Sequence, residues 1–192
     1  MEKTLEQQPT NCLKIVLFGP ESSGKTTLAM ALASYYKTKW VPEFMRAYLQ
    51  KKWDESKQIC TKDDLLPIAT GQILSENTLS DLADEVLFCD TNLLELKVYS
   101  EYYFDGYCPS EIETAAPLNN YKLYLLTYID TPWEDDDLRD RQYDRSTLFR
   151  MFEEELVKQN LPYLILKGNN NARLQSAIKA VDSLLLEKNA NK

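Results

Sequence analysis

Short apolar runs alternate along this chain with longer stretches in which apolar residues recur every three or four positions. Residues 13–18 (LKIVLF) are apolar on both faces and rich in β-branched side chains, which predicts a strand buried on both sides within a parallel sheet. Beyond Lys25, the residues Leu28, Ala29, Leu32 and Ala33 keep helical spacing until the polar KTK at 37–39, so a helix follows the first strand. The alternation continues with a short strand at 40–44, helical stretches to about Leu82, an apolar strand at 85–90 (EVLFCD) and a helix from Leu93. Further strands are predicted at 121–126 (YKLYLL) and 163–166 (YLIL), flanking a helix that carries Leu148, Phe149, Phe152 and Leu156 on one face. A last helix begins near Asn171 and turns Leu174, Ala177, Ile178, Val181 and Leu185 inward.

Strands separated by helices imply right-handed crossovers and a parallel sheet of about five strands, covered on both faces, with ligands at the carboxyl ends of the strands. The expected fold class is therefore α/β, a three-layer sandwich. At 192 residues the chain is one domain with a proper core. Residues 11–188 are expected to form that domain, with flexible flanks at 1–10 and 189–192.

Composition narrows the chemistry. A net charge of -8, from 22 Lys+Arg against 30 Asp+Glu, disfavours nucleic acid and anionic membrane as partners. No apolar stretch approaches a membrane span, and the start, MEKTLEQQPTNC, lacks the apolar centre of a signal peptide, so a cytoplasmic protein acting on small molecules is expected. Cys12, Cys60, Cys89 and Cys108 are scattered and suggest neither a zinc site nor a disulfide framework. The sequence contains no histidine, which removes Ser-His-Asp hydrolysis, histidine acid catalysis and histidine-ligated metals. Phosphoryl transfer needs only the carboxylates, lysine, arginine, hydroxyls and backbone amides that remain.

Residues 19–26, GPESSGKT, fit G-x-x-x-x-G-K-[ST] at every fixed position, with a strand before and a helix after. Gly19 and Gly24 let the backbone amides of Glu21, Ser22, Ser23 and their neighbours turn inward around the phosphates of ATP, at the positive end of the following helix. Lys25 reaches the β/γ oxygens and the Thr26 hydroxyl ligates Mg²⁺, with Thr27 beside it. Asp90 closes the apolar run VLFCD, where a carboxylate holds Mg²⁺ through water or takes a proton from the acceptor, unless it merely caps the next helix in competition with Thr91 and Asn92.

A P-loop alone does not choose a function. The guanine-reading N-K-x-D, a D-x-x-G switch after Asp90 and the L-S-G-G-Q transporter signature are all absent, which favours adenine nucleotide. Residues 131–145, TPWEDDDLRDRQYDR, pack Arg139, Arg141 and Arg145 into a polar stretch between a strand and a helix. Such a loop can close over ATP as a lid, bring guanidinium groups to the transferring phosphoryl and exclude water. Glu43 follows the second strand and suits an acceptor pocket, with Arg46 one helical turn on as its partner or as a phosphate contact.

The segments GPESSGKTTL, VPEFMR, IATGQ, FCDTN, TPWEDDDLRDR and YDRSTLFRMF together resemble the kinase domain of the NadR family of bacterial NAD-biosynthesis proteins, from about Lys14 to Leu185. The resemblance implies a fold like that of nucleoside and nucleotide kinases and ATP-dependent phosphorylation of nicotinamide riboside to nicotinamide mononucleotide. It assigns residues 19–27 to ATP and Mg²⁺, Glu43 and Asp90 to acceptor and metal, and Arg139 and Arg141 to the lid. Full-length members also carry an adenylyltransferase domain with an H-x-G-H motif, and many a DNA-binding head; neither is found in this sequence. Pro42 precedes Glu43 where the family is expected to hold an aromatic, so Trp40, Tyr48, Tyr102, Tyr103, Phe104 and Trp133 are the alternatives for stacking on a cationic ring. Phosphorylation of another nucleoside or nucleotide, and a regulatory ATPase, are the competing expectations.

Overall fold

The computed structural model describes residues 5–190. Five strands, β1 (Leu13–Phe18), β2 (Trp40–Val41), β3 (Val86–Asp90), β4 (Leu123–Thr127) and β5 (Tyr163–Leu166), form one sheet in the order β2-β3-β1-β4-β5. Every pairing is parallel. The helices are α1 (Lys25–Tyr36), α2 (Phe44–Ser56), α3 (Leu65–Ser80), α4 (Leu93–Tyr103), α5 (Ser110–Ala115), α6 (Arg145–Lys158) and α7 (Asn170–Ala190). None of the described helices is long and apolar enough to cross a membrane.

The central strand shows why the layers form. Successive side chains of a strand point to opposite faces, and in β1 Leu13, Ile15 and Leu17 enter the core beneath α1 and α7. Val16 and Phe18 enter the larger core on the other face, with Leu93, Leu148, Phe152 and Leu156. Phe18 meets Tyr124 and Phe152 edge-on at ring-centroid distances of 5.3 and 4.9 Å. Burial on both faces accounts for the continuous apolar run.

Three sequence expectations shift. The strand expected at 40–44 stops at Val41, because Pro42 has no N–H for the ladder and the Phe44 N–H donates to Gln72 Oε1 at 2.8 Å, opening α2 instead. The strand expected at 121–126 runs from Leu123 to Thr127; Tyr121 instead donates its hydroxyl to Glu76 Oε2 at 2.7 Å. Residues 5–10, expected to be flexible, lie along α3: Leu5 is buried, Gln7 Nε2 donates to Glu76 Oε1 at 2.6 Å, and the Gln8 N–H donates to Asn77 Oδ1 at 2.8 Å. The remaining flank residues, 1–4 and 191–192, lie outside the described residues, while 189–190 continue α7.

The sheet order puts β1 between β3 and β4. The loop leaving β1 therefore emerges beside the end of β3, with Leu17 in register with Asp90. A ligand crevice at the carboxyl edge follows from that reversal of strand order.

Candidate functional site

The chain turns sharply at the end of β1. Gly19 has φ 131°, and a Cβ there would stand 3.0 Å from both Thr127 O and Oγ1, so the backbone angle and the close approach of β4 together favour glycine. Gly24, with φ 85°, is the N-cap of α1. Between them Ser23 Oγ donates to Pro20 O at 2.6 Å and lies 2.6 Å from the Thr127 hydroxyl. The result is a loop closed at both ends over the positive end of a helix, a geometry that cradles phosphate.

Lys25 folds back across this loop. Its ammonium donates to Gly19 O at 2.7 Å and Pro20 O at 3.0 Å, and it lies 3.2 Å from Glu95 Oε1. Thr26 Oγ1 donates to Asp90 Oδ2 at 2.5 Å. Burial, and then the charge of Glu43, push the Asp90 carboxyl up to about 6. Burial pushes the Glu95 carboxyl up, against the opposing pull of Lys25. Burial disfavours the Lys25 ammonium, yet Glu95, Glu43 and Asp90 outweigh it and hold the group above its ordinary value.

Of the residues singled out in the sequence, Lys25, Thr26, Asp90 and Glu43 are thus brought together. Asp90 is not the cap of α4, since Asn92 Oδ1 takes that role by accepting from the Glu95 N–H at 3.1 Å. Glu43 stands at the N-cap position of α2 without a capping bond from its side chain and lines the main cavity. Arg46 does not pair with Glu43; it reaches Asp136 of the 131–145 segment at 2.5 Å.

That segment lies over the phosphate loop. Ser22, at φ 55°, receives it: Ser22 O accepts from Thr131 Oγ1 at 2.8 Å and Arg145 Nη2 at 2.9 Å, and Ser22 Oγ accepts from the Glu134 N–H at 2.9 Å. Glu21 Oε1 accepts from the Arg141 N–H at 3.1 Å, which turns this loop carboxylate toward the lid. Arg139 Nη1 donates to Glu134 O at 2.7 Å and its Nε lies 3.1 Å from Asp136. The Arg141 guanidinium sits 5.0 Å over the Tyr103 ring and 5.4 Å over Tyr102. Both arginines line the cavity.

The cavity has a volume of about 800 Å³ and joins the phosphate loop to an apolar chamber between α2 and α4. Tyr103 and Phe104, two of the six aromatic alternatives, line it; Trp40, Tyr48, Tyr102 and Trp133 do not, and Trp53 and Tyr99 do. Nothing in the sequence singles out those last two. Glu95 reads as the acid of a capping box with Asn92, which hides its approach to Lys25. Arg173, 2 % exposed, has no motif signal; it donates to Ser23 O at 2.5 Å, Tyr128 O at 2.8 Å and Gly168 O at 2.9 Å, and pairs with Asp130. It ties the phosphate loop to the root of the lid.

Among the described residues no group of three or more His, Cys, Asp or Glu side chains is arranged for a metal ion. A nucleotide-bound Mg²⁺ asks for less, one hydroxyl and one carboxylate beside phosphate oxygens and water. Asp90 Oδ1 is buried without a hydrogen-bond partner, next to the Thr26 hydroxyl, and that pair fits such an ion.

A three-layer sheet with this loop at the end of its central strand places the chain in the P-loop NTPase class, in the form taken by nucleoside kinases. The chain belongs to the AAA domain family, whose profile matches residues 14–173. It is 24% identical over 185 residues to the trifunctional NAD biosynthesis/regulator protein NadR of Salmonella typhimurium, covering 95% of this chain and 45% of the relative. With the protein of the same name from Escherichia coli it shares 26% over 159 residues, covering 80% and 38%. The chain therefore spans less than half the length of these curated relatives. A crystal structure of NadR protein in complex with NR superposes with a TM-score of 0.72 at 23% identity, over 90% of this chain and 51% of the other. A deoxyadenosine kinase from M. mycoides, solved with dCMP and a flexible dCDP, gives 0.66 at 14% identity over 89% and 100%.

Proposed function

We propose that the chain is an ATP-dependent kinase that transfers the γ-phosphoryl group to the 5'-hydroxyl of nicotinamide riboside, giving nicotinamide mononucleotide for NAD synthesis. One observation carries the reading: the phosphate loop, Glu43 and an aromatic chamber open into the same cavity beneath a segment bearing Arg139 and Arg141. The NadR relatives and the NR-bound neighbour support the choice of acceptor.

In this mechanism the backbone amides of residues 19–26 and the Lys25 ammonium hold the β- and γ-phosphates of ATP. Thr26 and Asp90 are the residues that would hold Mg²⁺, and the ion would supply charge neutralisation at the phosphate oxygens. The ribose lies between α2 and α4 so that its 5'-hydroxyl meets the γ-phosphate in line. Glu43, which faces the cavity, accepts the hydroxyl proton late in the transfer, as a loose transition state requires little activation of the nucleophile. Arg139 and Arg141 balance charge on the transferring group, and the lid excludes water so that ATP is not hydrolysed. Tyr103, Phe104, Trp53 and Tyr99 supply electron-rich faces for a cationic ring.

The test is ADP release with MgATP and nicotinamide riboside, uridine, cytidine, adenosine, thymidine or no acceptor, with the product identified by mass. Turnover selective for nicotinamide riboside is expected. Selective turnover of another nucleoside overturns the acceptor, and nucleotide binding without acceptor-dependent turnover overturns the kinase.

A further inference from the structure

Glu95 carries no role in the mechanism above, yet it is 1 % exposed and its carboxylate points at the phosphate-loop lysine. Apart from that ion pair, neither of its oxygens has a hydrogen-bond partner. A small space of about 10 Å³ separates it from Gln72, walled by Met45, Ile68, Thr91, Asn92 and Leu96. Gln72 is 3 % exposed, and its Oε1 accepts the Phe44 N–H at 2.8 Å. That bond fixes the amide, so Nε2 is the donor left over, buried and without a partner. A donor without an acceptor and a carboxylate without donors thus border one space, about the smallest that holds a single water molecule.

A lysine side chain is a flexible stem ending in a compact charge. To act in phosphoryl transfer it must be held, and to be buried it must be balanced. Glu43 and Asp90 also face Lys25, but Glu95 is the carboxylate paired with its ammonium.

We propose that Glu95 is a positioning residue: its carboxylate holds the Lys25 ammonium at the mouth of the phosphate loop, and Gln72 holds the carboxylate through one buried water. The chain of contacts ends at the Phe44 N–H, so the lysine and the turn that presents Glu43 are set by one network across α2, α3 and α4. The consequence for turnover rests on the kinase reading; the positioning itself does not.

The experiment uses the whole chain labelled with ¹⁵N-lysine, comparing wild type, Glu95→Gln, Gln72→Met and Lys25→Arg by NMR. Lys14 and Lys97, buried in ion pairs with Glu76 and with Glu101 and Glu155, serve as internal references. The Lys25 ammonium signal, identified by its loss in Lys25→Arg, is expected to be protected in wild type and to exchange at least ~10-fold faster in Glu95→Gln, with a smaller change in Gln72→Met. Turnover of Glu95→Gln is expected to fall about tenfold while its thermal midpoint holds or rises, since a half-satisfied buried charge has been removed. An unchanged Lys25 signal in Glu95→Gln overturns the proposal. So does a lowered midpoint with full turnover per folded molecule, the signature of an architectural pair. Absence of wild-type turnover with every acceptor would defeat the kinase reading, and the Lys25 signal would still decide the positioning.

Discussion

Two buried lysine–glutamate pairs stand at opposite ends of β1. At the amino end Lys14 meets Glu76 at 2.9 Å, and the Glu76 carboxylate also accepts from Gln7 at 2.6 Å and Tyr121 at 2.7 Å. At the carboxyl end Lys25 meets Glu95 at 3.2 Å, and the Glu95 oxygens have no other partner. Residue types and burial match, but hydrogen bonding does not. A saturated network fixes architecture, because every lone pair lost from water is replaced. An unsaturated one keeps a charge available for something that binds, and phosphate is the ligand that a glycine loop beside a lysine accommodates.

The largest way to break this comparison is at the saturated end. Glu76→Ala leaves the Lys14 ammonium buried without its counter-ion and is expected to cost about 3–5 kcal/mol of stability. Urea titration measures that loss, and turnover per folded molecule should stay at the wild-type value. Lys25→Ala inverts the pattern: a drop in kcat of at least ~10², or about 2.7 kcal/mol of transition-state stabilisation, in a chain that still folds. Undiminished turnover in that variant would remove Lys25 from the chemistry. Arg139→Ala comes next, with a roughly tenfold fall in kcat that exceeds any loss of ATP affinity; an effect confined to KM would make the arginine a ground-state clamp instead.

The smallest expected effect is one of pH. Burial raises Asp90 from 3.8 to about 6, so its contribution to stability is complete below the unfolded value and is lost as pH rises through about 6. Asp64, Asp130, Asp136 and Glu155 are held below their ordinary values and lose their contribution only in more acidic solution. Thermal midpoints should therefore fall by a few degrees from about pH 5 to about pH 7, and Asp90→Asn should flatten that slope. An equal slope in the variant would show that Asp90 does not titrate in this range.

What could be read from the sequence follows from how local each determinant is. β1 and β5 coincide with their apolar runs, and the phosphate loop is a fixed spacing between a strand and a helix. β2 is cut short by a contact with Gln72, 28 residues away in the chain, and the start of β4 shifts because Tyr121 is drawn to Glu76. Lys25, Thr26, Asp90 and Glu43 were legible because each ends a strand or opens a helix at the carboxyl edge of the sheet. Glu95 and Arg173 were not, since a charged residue on a helix looks solvated until the partner that buries it is known. Trp53 and Tyr99 look like any core aromatics until α2 and α4 face each other across the cavity. For Arg46 the sequence suggests Glu43 or phosphate as partner; Asp136, 90 positions distant, takes its guanidinium.

The most direct test of the central claim follows the label. Wild type and Lys25→Ala are incubated with Mg²⁺, nicotinamide riboside and ATP labelled at the γ-phosphate, and the labelled products are separated. Label is expected in nicotinamide mononucleotide with wild type, formed at least ~10² more slowly by the variant. Label released only as inorganic phosphate, or carried to the mononucleotide equally well by both proteins, would contradict it.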